Sequence, residues 1–97
     1  MNPKKKILII GSSVADVIMN VKKLPAPGED VHILNQRLCI GGCAFNVSDM
    51  IRHFQVPHLL FSPAGTGIYG DFVREEWEKR GIVSVLPVPD LENGCCY

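Results

Sequence analysis

The sequence lacks a long apolar run, a net charge and any metal-type spacing of its cysteines. No apolar stretch approaches the roughly 20 residues that a membrane-spanning helix needs, so no membrane partner is expected. Ten Lys and Arg residues balance ten Asp and Glu residues, so no overall field favours nucleic acid or an anionic surface. The four cysteines match neither a zinc ribbon nor a CxxC redox pair. These absences predict a protein with no membrane partner, no nucleic-acid partner and no cysteine metal site.

What remains is the composition of one modest globular domain. The chain has 97 residues, of which 46% are hydrophobic and 21% charged. Four free thiols indicate a reducing compartment, so we expect a cytoplasmic location. Cys43 differs from the other cysteines because it stands at a predicted helix start, where a thiol's pKa is lowered.

Strands and helices alternate along most of the chain. Alternating β and α units predict an α/β layered fold with a largely parallel sheet flanked by helices. The first strand is a short continuous apolar run, which is typical of a fully buried strand. The segment from residue 16 to residue 40 does not fit a simple βαβ unit, and it predicts a flap or a small second sheet. The predicted strands are 6–11, 16–21, 31–40, 58–64, 84–88 and the opening of one more at 95–97.

Two helices are predicted from apolar residues at helical spacing. The first runs from Ala44 to Phe54, and the second runs from about Tyr69 to Arg80 and ends at Gly81. The stripe of the first helix that is expected to face the core comprises Val47, Met50, Ile51 and Phe54. The corresponding face of the second helix comprises Tyr69, Phe72, Val73 and Trp77.

A glycine pair, Gly41 and Gly42, opens the first helix. Without a Cβ, these residues let backbone N–H groups approach a ligand, and a helix start offers further unpaired N–H groups. Asn46, one turn later, adds an amide with donors and an acceptor. Sugar hydroxyls both donate and accept, so the combination suits a polyhydroxylated ligand. Glycines that open a helix for steric reasons alone are the competing interpretation.

Asp16 follows the first predicted strand by a few residues. Ligands of parallel α/β sheets bind beyond the carboxyl ends of the strands, so Asp16 is placed to reach one. A carboxylate accepts two hydroxyl hydrogen bonds, and charge-assisted bonds are stronger than neutral ones. A turn or cap residue is the alternative interpretation of Asp16.

A second glycine pattern competes with this site. Residues Gly65 to Gly70 read G-x-G-x-x-G between a predicted strand and a helix, and Asp90 lies 20 residues further on. That context is required of a dinucleotide fingerprint, with pyrophosphate on the helix start and Asp90 on a ribose hydroxyl. Pro87 and Pro89 disfavour a central strand before Asp90. The alternative is a glycine-rich turn without a ligand.

Together these segments resemble the N-terminal portion of the ribokinase family of carbohydrate kinases, also called the phosphofructokinase-B family. The resemblance covers nearly the whole chain, and Gly67 stands where the family usually has aspartate in its G-x-D-x-x-G turn. The four matching segments, in the family's order, are Ile9–Asp16 with the substrate aspartate, Pro25–Glu29 between the lid strands, Gly41–Ser48 with the glycine pair and asparagine, and the Gly65–Gly70 turn.

The resemblance implies a ribokinase-like fold with a small β lid, and an ATP- and Mg²⁺-dependent transfer of the γ-phosphoryl group to a hydroxyl of a small sugar or nucleoside. The substrate-binding residues that it implies are Asp16, Gly41, Gly42, Cys43 and Asn46. The family's ATP site and catalytic aspartate lie downstream of residue 97. We therefore expect residues 1–97 to be the N-terminal fragment of one domain, with residues 16–40 contributing lid strands and no catalytic, cofactor or metal residue present. Lid strands of the family often also form a homodimer interface.

Two positions depart from ribokinases proper. Val14 replaces a polar sugar contact, and Cys43 replaces a lysine. Both changes make the pocket less polar, so another furanose, a nucleoside or a modified sugar is as compatible as ribose. A truncated, non-catalytic binding module remains the alternative from a different functional class.

Overall fold

The computed structural model describes residues 6–97, and it describes their side chains except those of residues 85–89. Strands and helices alternate as the sequence predicts, which confirms the α/β class. No helix in this described part is long and apolar enough to cross a membrane. The elements are β1 (Ile7–Ile10), β2 (Val14–Asn20), β3 (Asn35–Gly41), α1 (Cys43–His53), β4 (His58–Thr66), α2 (Gly67–Lys79), β5 (Ser84–Glu92) and β6 (Cys95–Cys96).

The strands form two three-stranded sheets. The main sheet has the order β1-β4-β5 and is entirely parallel, as the βα alternation requires. The second sheet has the order β3-β2-β6, with β3 antiparallel and β6 parallel to β2. The prediction of a separate small sheet is therefore confirmed. Pro87 and Pro89 lie within β5, a strand at the edge of the main sheet whose pairing with β4 contains register shifts. Such positions tolerate proline.

The predicted strand at 31–40 is wrong over its first four residues. The strand begins at Asn35, which pairs with Asn20, the last residue of β2. Residues 31–34 continue beyond that end, where β2 offers no further partner. A single hydrogen bond, from the Leu34 N–H to the Asn20 carbonyl at 2.8 Å, closes the ladder.

The core lies where the two helices pack against the main sheet. Leu60 of β4 and Val73 of α2 are fully buried, and Phe45, Trp77 and Ile82 pack around them. Of the buried face predicted for α2, Val73 and Trp77 are buried, whereas Tyr69 and Phe72 are half-buried. β1 is less buried than predicted: only Ile9 is covered, because β1 is an edge strand and no described element packs over its other side chains.

The predicted core stripe of α1 is wrong at three of its four residues, and only Ile51 packs against the core. Val47, Met50 and Phe54 are 50%, 58% and 71% exposed, and Ile51 is half-buried. The buried residues of α1 are Ala44, Phe45 and Ser48. The reason is the close approach of the helix to the residues after β1, since a Cβ on Gly11 would lie 3.0 Å from the Ala44 Cβ. At this closest point only a small side chain such as that of Ala44 fits, and hydrophobic periodicity carries no information on that distance.

Ser48 on this buried face has a polar partner. Its hydroxyl lies 2.7 Å from Nε2 of His58, and Nδ1 of His58 lies 3.1 Å from the Val56 carbonyl. The carbonyl can only accept, so Nδ1 carries the proton and Nε2 accepts from the serine. His58 is thus a structural histidine that joins α1 to β4.

Both helices end in the same way. After α2, Gly81 has φ +67°, and the N–H groups of Ile82 and Gly81 bond to the Trp77 and Glu78 carbonyls, which is a Schellman motif. After α1, Gln55 occupies the corresponding left-handed position with φ +57°. A non-glycine residue is strained in this conformation by about 1 kcal/mol.

We predict that Gln55→Gly raises the free energy of unfolding by about 0.5–1 kcal/mol, because glycine adopts the left-handed conformation without strain. Denaturant unfolding followed by circular dichroism measures the change. The matched control is Gln55→Ala, which removes the same side chain but keeps a Cβ, and it should leave the midpoint nearly unchanged. Equal effects of the two substitutions would contradict strain at this position.

Candidate functional site

Asp16 lies in the middle of the second sheet. Its backbone partners are Cys39 of β3 on one side and Cys96 of β6 on the other. Residues paired across neighbouring strands project from the same face, so the carboxylate lies between two thiols on one face. Ala15 and Val17, which project from the opposite face, are buried. The sheet therefore packs on one side and presents Asp16 on the other.

Gly41 makes room for the Asp16 carboxylate. A Cβ at Gly41 would overlap Oδ2 of Asp16 and would lie 3.2 Å from its Cγ. Any side chain here would push the carboxylate away, so glycine is required for a steric reason. Among the described residues, no hydrogen bond or ion pair to the Asp16 carboxylate is found. Asp16 is half-buried, and among the described residues its carboxylate oxygens remain available to accept from hydroxyl groups.

Gly42 is required for a different contact. It is the residue before α1, with φ +101°, and a Cβ there would lie 2.5 Å from the Ser12 carbonyl oxygen. The steric interpretation of the glycine pair is therefore correct for both residues. This steric role does not exclude ligand binding. The space that Gly41 leaves is occupied by the Asp16 carboxylate, which could itself accept from a ligand.

The start of α1 offers fewer free N–H groups than predicted. The N–H groups of Ala44 and Phe45 both donate to the Ser12 carbonyl, at 3.2 and 3.3 Å, and the Asn46 N–H donates to the Gly42 carbonyl at 2.9 Å. Within residues 6–97, the Cys43 N–H has no hydrogen-bond partner. Sequence reasoning did not identify Ser12, whose carbonyl takes the place that a ligand was expected to occupy.

The side chains of Cys43 and Asn46 are exposed at this helix start. Cys43 Sγ lies 3.7 Å from Ser12 Oγ. The Ser12 backbone N–H, followed by the Ser12 hydroxyl, stabilises the thiolate and lowers the pKa of Cys43. Desolvation opposes this effect and raises the pKa, and the amides of Ala44 and Cys43 lower it by smaller amounts. The sequence-based expectation of a lowered pKa for this thiol agrees with this geometry, although Ser12 contributes more than the helix start does.

We predict that the alkylation rate of Cys43 rises at lower pH in the folded protein than in the protein denatured in urea, because the folded-state pKa is depressed. Mass spectrometry after timed iodoacetamide pulses measures the rate at each pH. Ser12→Ala should reverse part of the difference, since it removes the hydroxyl but keeps the N–H. If the alkylation rate of Cys43 depends on pH in the same way in the folded and the denatured protein, the Ser12 contacts do not stabilise the thiolate.

The Gly65–Gly70 turn has no room for a pyrophosphate on its first glycine. A Cβ on Gly65 would lie 2.6 Å from the Asn93 nitrogen, and one on Gly70 would overlap the Gly65 carbonyl. The Gly65 N–H donates to Oδ1 of Asn93 at 2.9 Å, so a dinucleotide phosphate could not accept from it. Asp90 is exposed. The glycines serve close packing, which favours the structural-turn interpretation over the dinucleotide one.

Beside this turn a cleft of about 340 Å³ opens. It is lined by residues 12–14 after β1, by Pro63 and Gly65 of β4, and by residues 91–94. No cluster of three or more His, Cys, Asp or Glu side chains that could hold a metal ion occurs within the described residues.

Sequence reasoning missed several residues around the site. Cys39 and Cys96 flank Asp16, and Asn93 contacts both the glycine turn and the segment before β2. If β2 and β3 had been recognised from the sequence as a hairpin, its pairing register would have placed Cys39 opposite Asp16. No local signal indicates Cys96 or Asn93, which reach the site from about 80 residues away along the chain.

Comparisons with known proteins identify the family of this chain. Residues 4–97 match the family model described as pfkB family carbohydrate kinase. The chain is 26% identical over 96 residues to the uncharacterized sugar kinase YegV of Escherichia coli (strain K12), covering 99% of this chain and 30% of that protein. The chain thus spans under a third of the length of this curated relative.

Solved structures of sugar and nucleoside kinases share the fold of this chain. A ribokinase from Thermotoga maritima superposes with a TM-score of 0.83 at 25% identity, covering 93% of this chain and 30% of that one. A nucleoside kinase of the ribokinase family from Methanocaldococcus jannaschii superposes with a TM-score of 0.74 at 26% identity, covering 91% and 30%. The ribokinase-like fold predicted from the sequence is confirmed.

Proposed function

Because this chain belongs to the pfkB family of carbohydrate kinases, we propose that residues 1–97 form the N-terminal, substrate-binding part of a sugar kinase. In this proposal the chain is one portion of a single ribokinase-like domain, and residues 16–40 contribute the strands of a lid. The second sheet, which presents Asp16 on its open face, is that lid. The 30% coverage of the relatives supports a longer parent protein.

The observation that carries the proposal is the unpartnered Asp16 carboxylate held against Gly41. Two hydroxyl groups of a sugar could donate to this carboxylate, and such charge-assisted hydrogen bonds are stronger than neutral ones. The free Cys43 N–H can donate to a further sugar oxygen, and the Asn46 amide one turn along can donate and accept. Gly42 contributes by bringing the helix start to Ser12 rather than by leaving its own space open.

The chemistry proposed for the parent is transfer of the γ-phosphoryl group of ATP to a sugar hydroxyl. Such transfers depend on positioning and on charge stabilisation, with Mg²⁺ and a base at the attacking hydroxyl. The Gly65 N–H donates to Oδ1 of Asn93 and is therefore not available to a nucleotide phosphate. We therefore assign this chain the role of binding and orienting the acceptor. The ATP site and the base belong to the part of the parent beyond residue 97.

Two residues of the site are less polar than their counterparts in ribokinases, and this difference bears on the class of substrate. Val14 and Cys43 stand at positions that are polar in ribokinases, and Cys43 Sγ is directed toward Gly11 and Ser12. A nucleoside or a sugar with an apolar substituent would lose less hydration against these groups than a fully hydroxylated pentose would. The likeness to a nucleoside kinase supports including nucleosides among the candidates.

We predict that Asp16→Asn weakens sugar or nucleoside binding about tenfold to hundredfold, because the variant loses a charge-assisted acceptor of nearly the same shape. Calorimetric titration with a panel of pentoses, hexoses and nucleosides measures the affinity, and coupled ADP release measures turnover by the longest protein that the gene expresses. Asp90→Asn is the matched control, because Asp90 is exposed and lies outside the site.

Two results would contradict the proposal at different levels. If no member of the panel stimulates ADP release, the kinase assignment fails for this protein. If a substrate is found and Asp16→Asn binds it as tightly as the unmodified protein, Asp16 is removed from the site while the kinase assignment stands.

A homodimer through the lid is part of the same proposal, together with a cytoplasmic location. Leu38 of the lid, on the face opposite Asp16, and Leu34, just before β3, are 43% and 58% exposed. We predict that sedimentation analysis finds a dimer, and that Leu34→Asp weakens it at least about tenfold by placing a charge in an apolar interface. Val83→Asp, at another exposed apolar residue that lies outside the lid, should not weaken the dimer. A monomer at all protein concentrations would exclude this interface.

A further inference from the structure

Asn93 is a buried polar residue at the meeting point of three chain segments. It is 8% exposed. Its Oδ1 accepts the Gly65 N–H at 2.9 Å, and its Nδ2 donates to the Ser13 carbonyl at 3.3 Å and to the Gly94 carbonyl at 2.9 Å. Its own N–H donates to the Thr66 carbonyl at 3.1 Å. One amide side chain therefore connects the end of β4, the segment before β2 and the turn before β6.

These contacts lie next to Asp16 in the chain. The Ser13 carbonyl is held by Asn93, and the Ala15 N–H donates to the Gly94 carbonyl at 3.2 Å. Residues 13 and 15 are thus anchored on either side of Val14, directly before Asp16. The anchor is tied through Gly65 to the main sheet, whereas Asp16 belongs to the second sheet. The position of the carboxylate relative to the main sheet depends on this junction.

We propose that Asn93 is a positioning residue for substrate binding, which holds the Asp16 carboxylate in a fixed place relative to the main sheet. The inference rests on the proposed function, in which Asp16 binds the acceptor sugar. Asn93 does not act on the substrate itself. It acts through the backbone of residues 13–15 and through the glycine turn.

The amide is the side chain that this junction requires. Three backbone groups surround it, of which the Gly65 N–H donates and the Ser13 and Gly94 carbonyls accept. An ionised aspartate of the same shape could accept from Gly65 but would place a negative charge against two carbonyl oxygens. A protonated aspartic acid would again have one donor and one acceptor. Asn93→Asp should therefore fail at high pH and recover at low pH.

The experiment uses the longest protein that the gene expresses, with Asn93→Asp and Asn93→Ala as test variants. Asn20→Ala is the matched control, because the Asn20 side chain donates to the exposed Asn35 side chain at the far end of β2 from the junction. Substrate affinity is measured by calorimetry from about pH 8 to about pH 5.5, a range in which a buried carboxyl with a raised pKa titrates. Amide hydrogen exchange is followed at each pH as a protection factor relative to the unmodified protein.

Other groups near the junction could titrate, so the unmodified protein is measured over the same range. Those on the segments that contact or adjoin the junction are Glu92 on β5, Tyr69, Asp71 and Arg74 on α2, Asp16 on β2, and Cys95 and Cys96 on β6. They are identical in the variant, so a pH effect that appears only in Asn93→Asp belongs to residue 93.

If the inference is correct, Asn93→Asp binds the substrate about tenfold or more weakly at high pH and recovers to within about threefold at low pH. Loss of exchange protection is then confined to the amides of Ala15 and Gly65. Affinity equal to that of the unmodified protein at high pH would overturn the proposal. A loss that low pH does not reverse would also overturn it, because a merely structural defect does not follow the protonation of one carboxyl.

Failure of the proposed function is distinguished by the exchange measurement. If the unmodified protein binds no sugar or nucleoside, the assignment of Asp16 to a substrate fails. The exchange of Ala15 and Gly65 then decides whether Asn93 anchors the junction: pH-reversible loss of protection supports the anchor, and unchanged protection excludes it. If Asn93→Ala does not fold, Asn93→Asp at low pH still provides both readouts.

Discussion

The close approach of the segment after β1 to the start of α1 is the constraint on which much of this structure depends. The Ser12 carbonyl accepts from the N–H groups of Ala44 and Phe45, at 3.2 and 3.3 Å, and so caps the helix with backbone instead of a side chain. At Gly42 a Cβ would collide with this carbonyl, and one at Gly11 would press on Ala44. Glycine at two positions and a small residue at a third follow from one backbone contact.

The same contact decides which face of α1 is buried and where the site lies. The helix turns the face with Ala44, Phe45 and Ser48 toward the main sheet, so these residues are covered while Met50 remains exposed. Ser12 also supports the Cys43 thiolate, and the Cys43 N–H is left without a partner beside the glycine pair. Packing and the proposed substrate chemistry are thus two consequences of one local geometry.

Buried polar groups connect the two sheets. The hydroxyls of Ser13 and Ser62 are 2.8 Å apart inside the protein, and the Ser62 N–H donates to Ser84 at 3.3 Å. Asn93 extends this chain of contacts to the turn before β6. A hydrogen-bonded junction specifies one arrangement of donors and acceptors, whereas an apolar one tolerates several. The sheet that carries Asp16 is therefore held in a defined place against the sheet that forms the core.

The sequence by itself determined the α/β class, most strands, both helices and the glycine, asparagine and aspartate residues of the proposed site, because periodicity and glycine placement are local signals. Only the tertiary structure decided that Val47 faces outward, that Ser12 occupies the N–H groups of α1, and that Asn93 meets Gly65 and Ser13. Each of these depends on the distance between segments remote in the chain. Such distances are set by packing and hydrogen-bond satisfaction across the whole domain, and no window of sequence contains them.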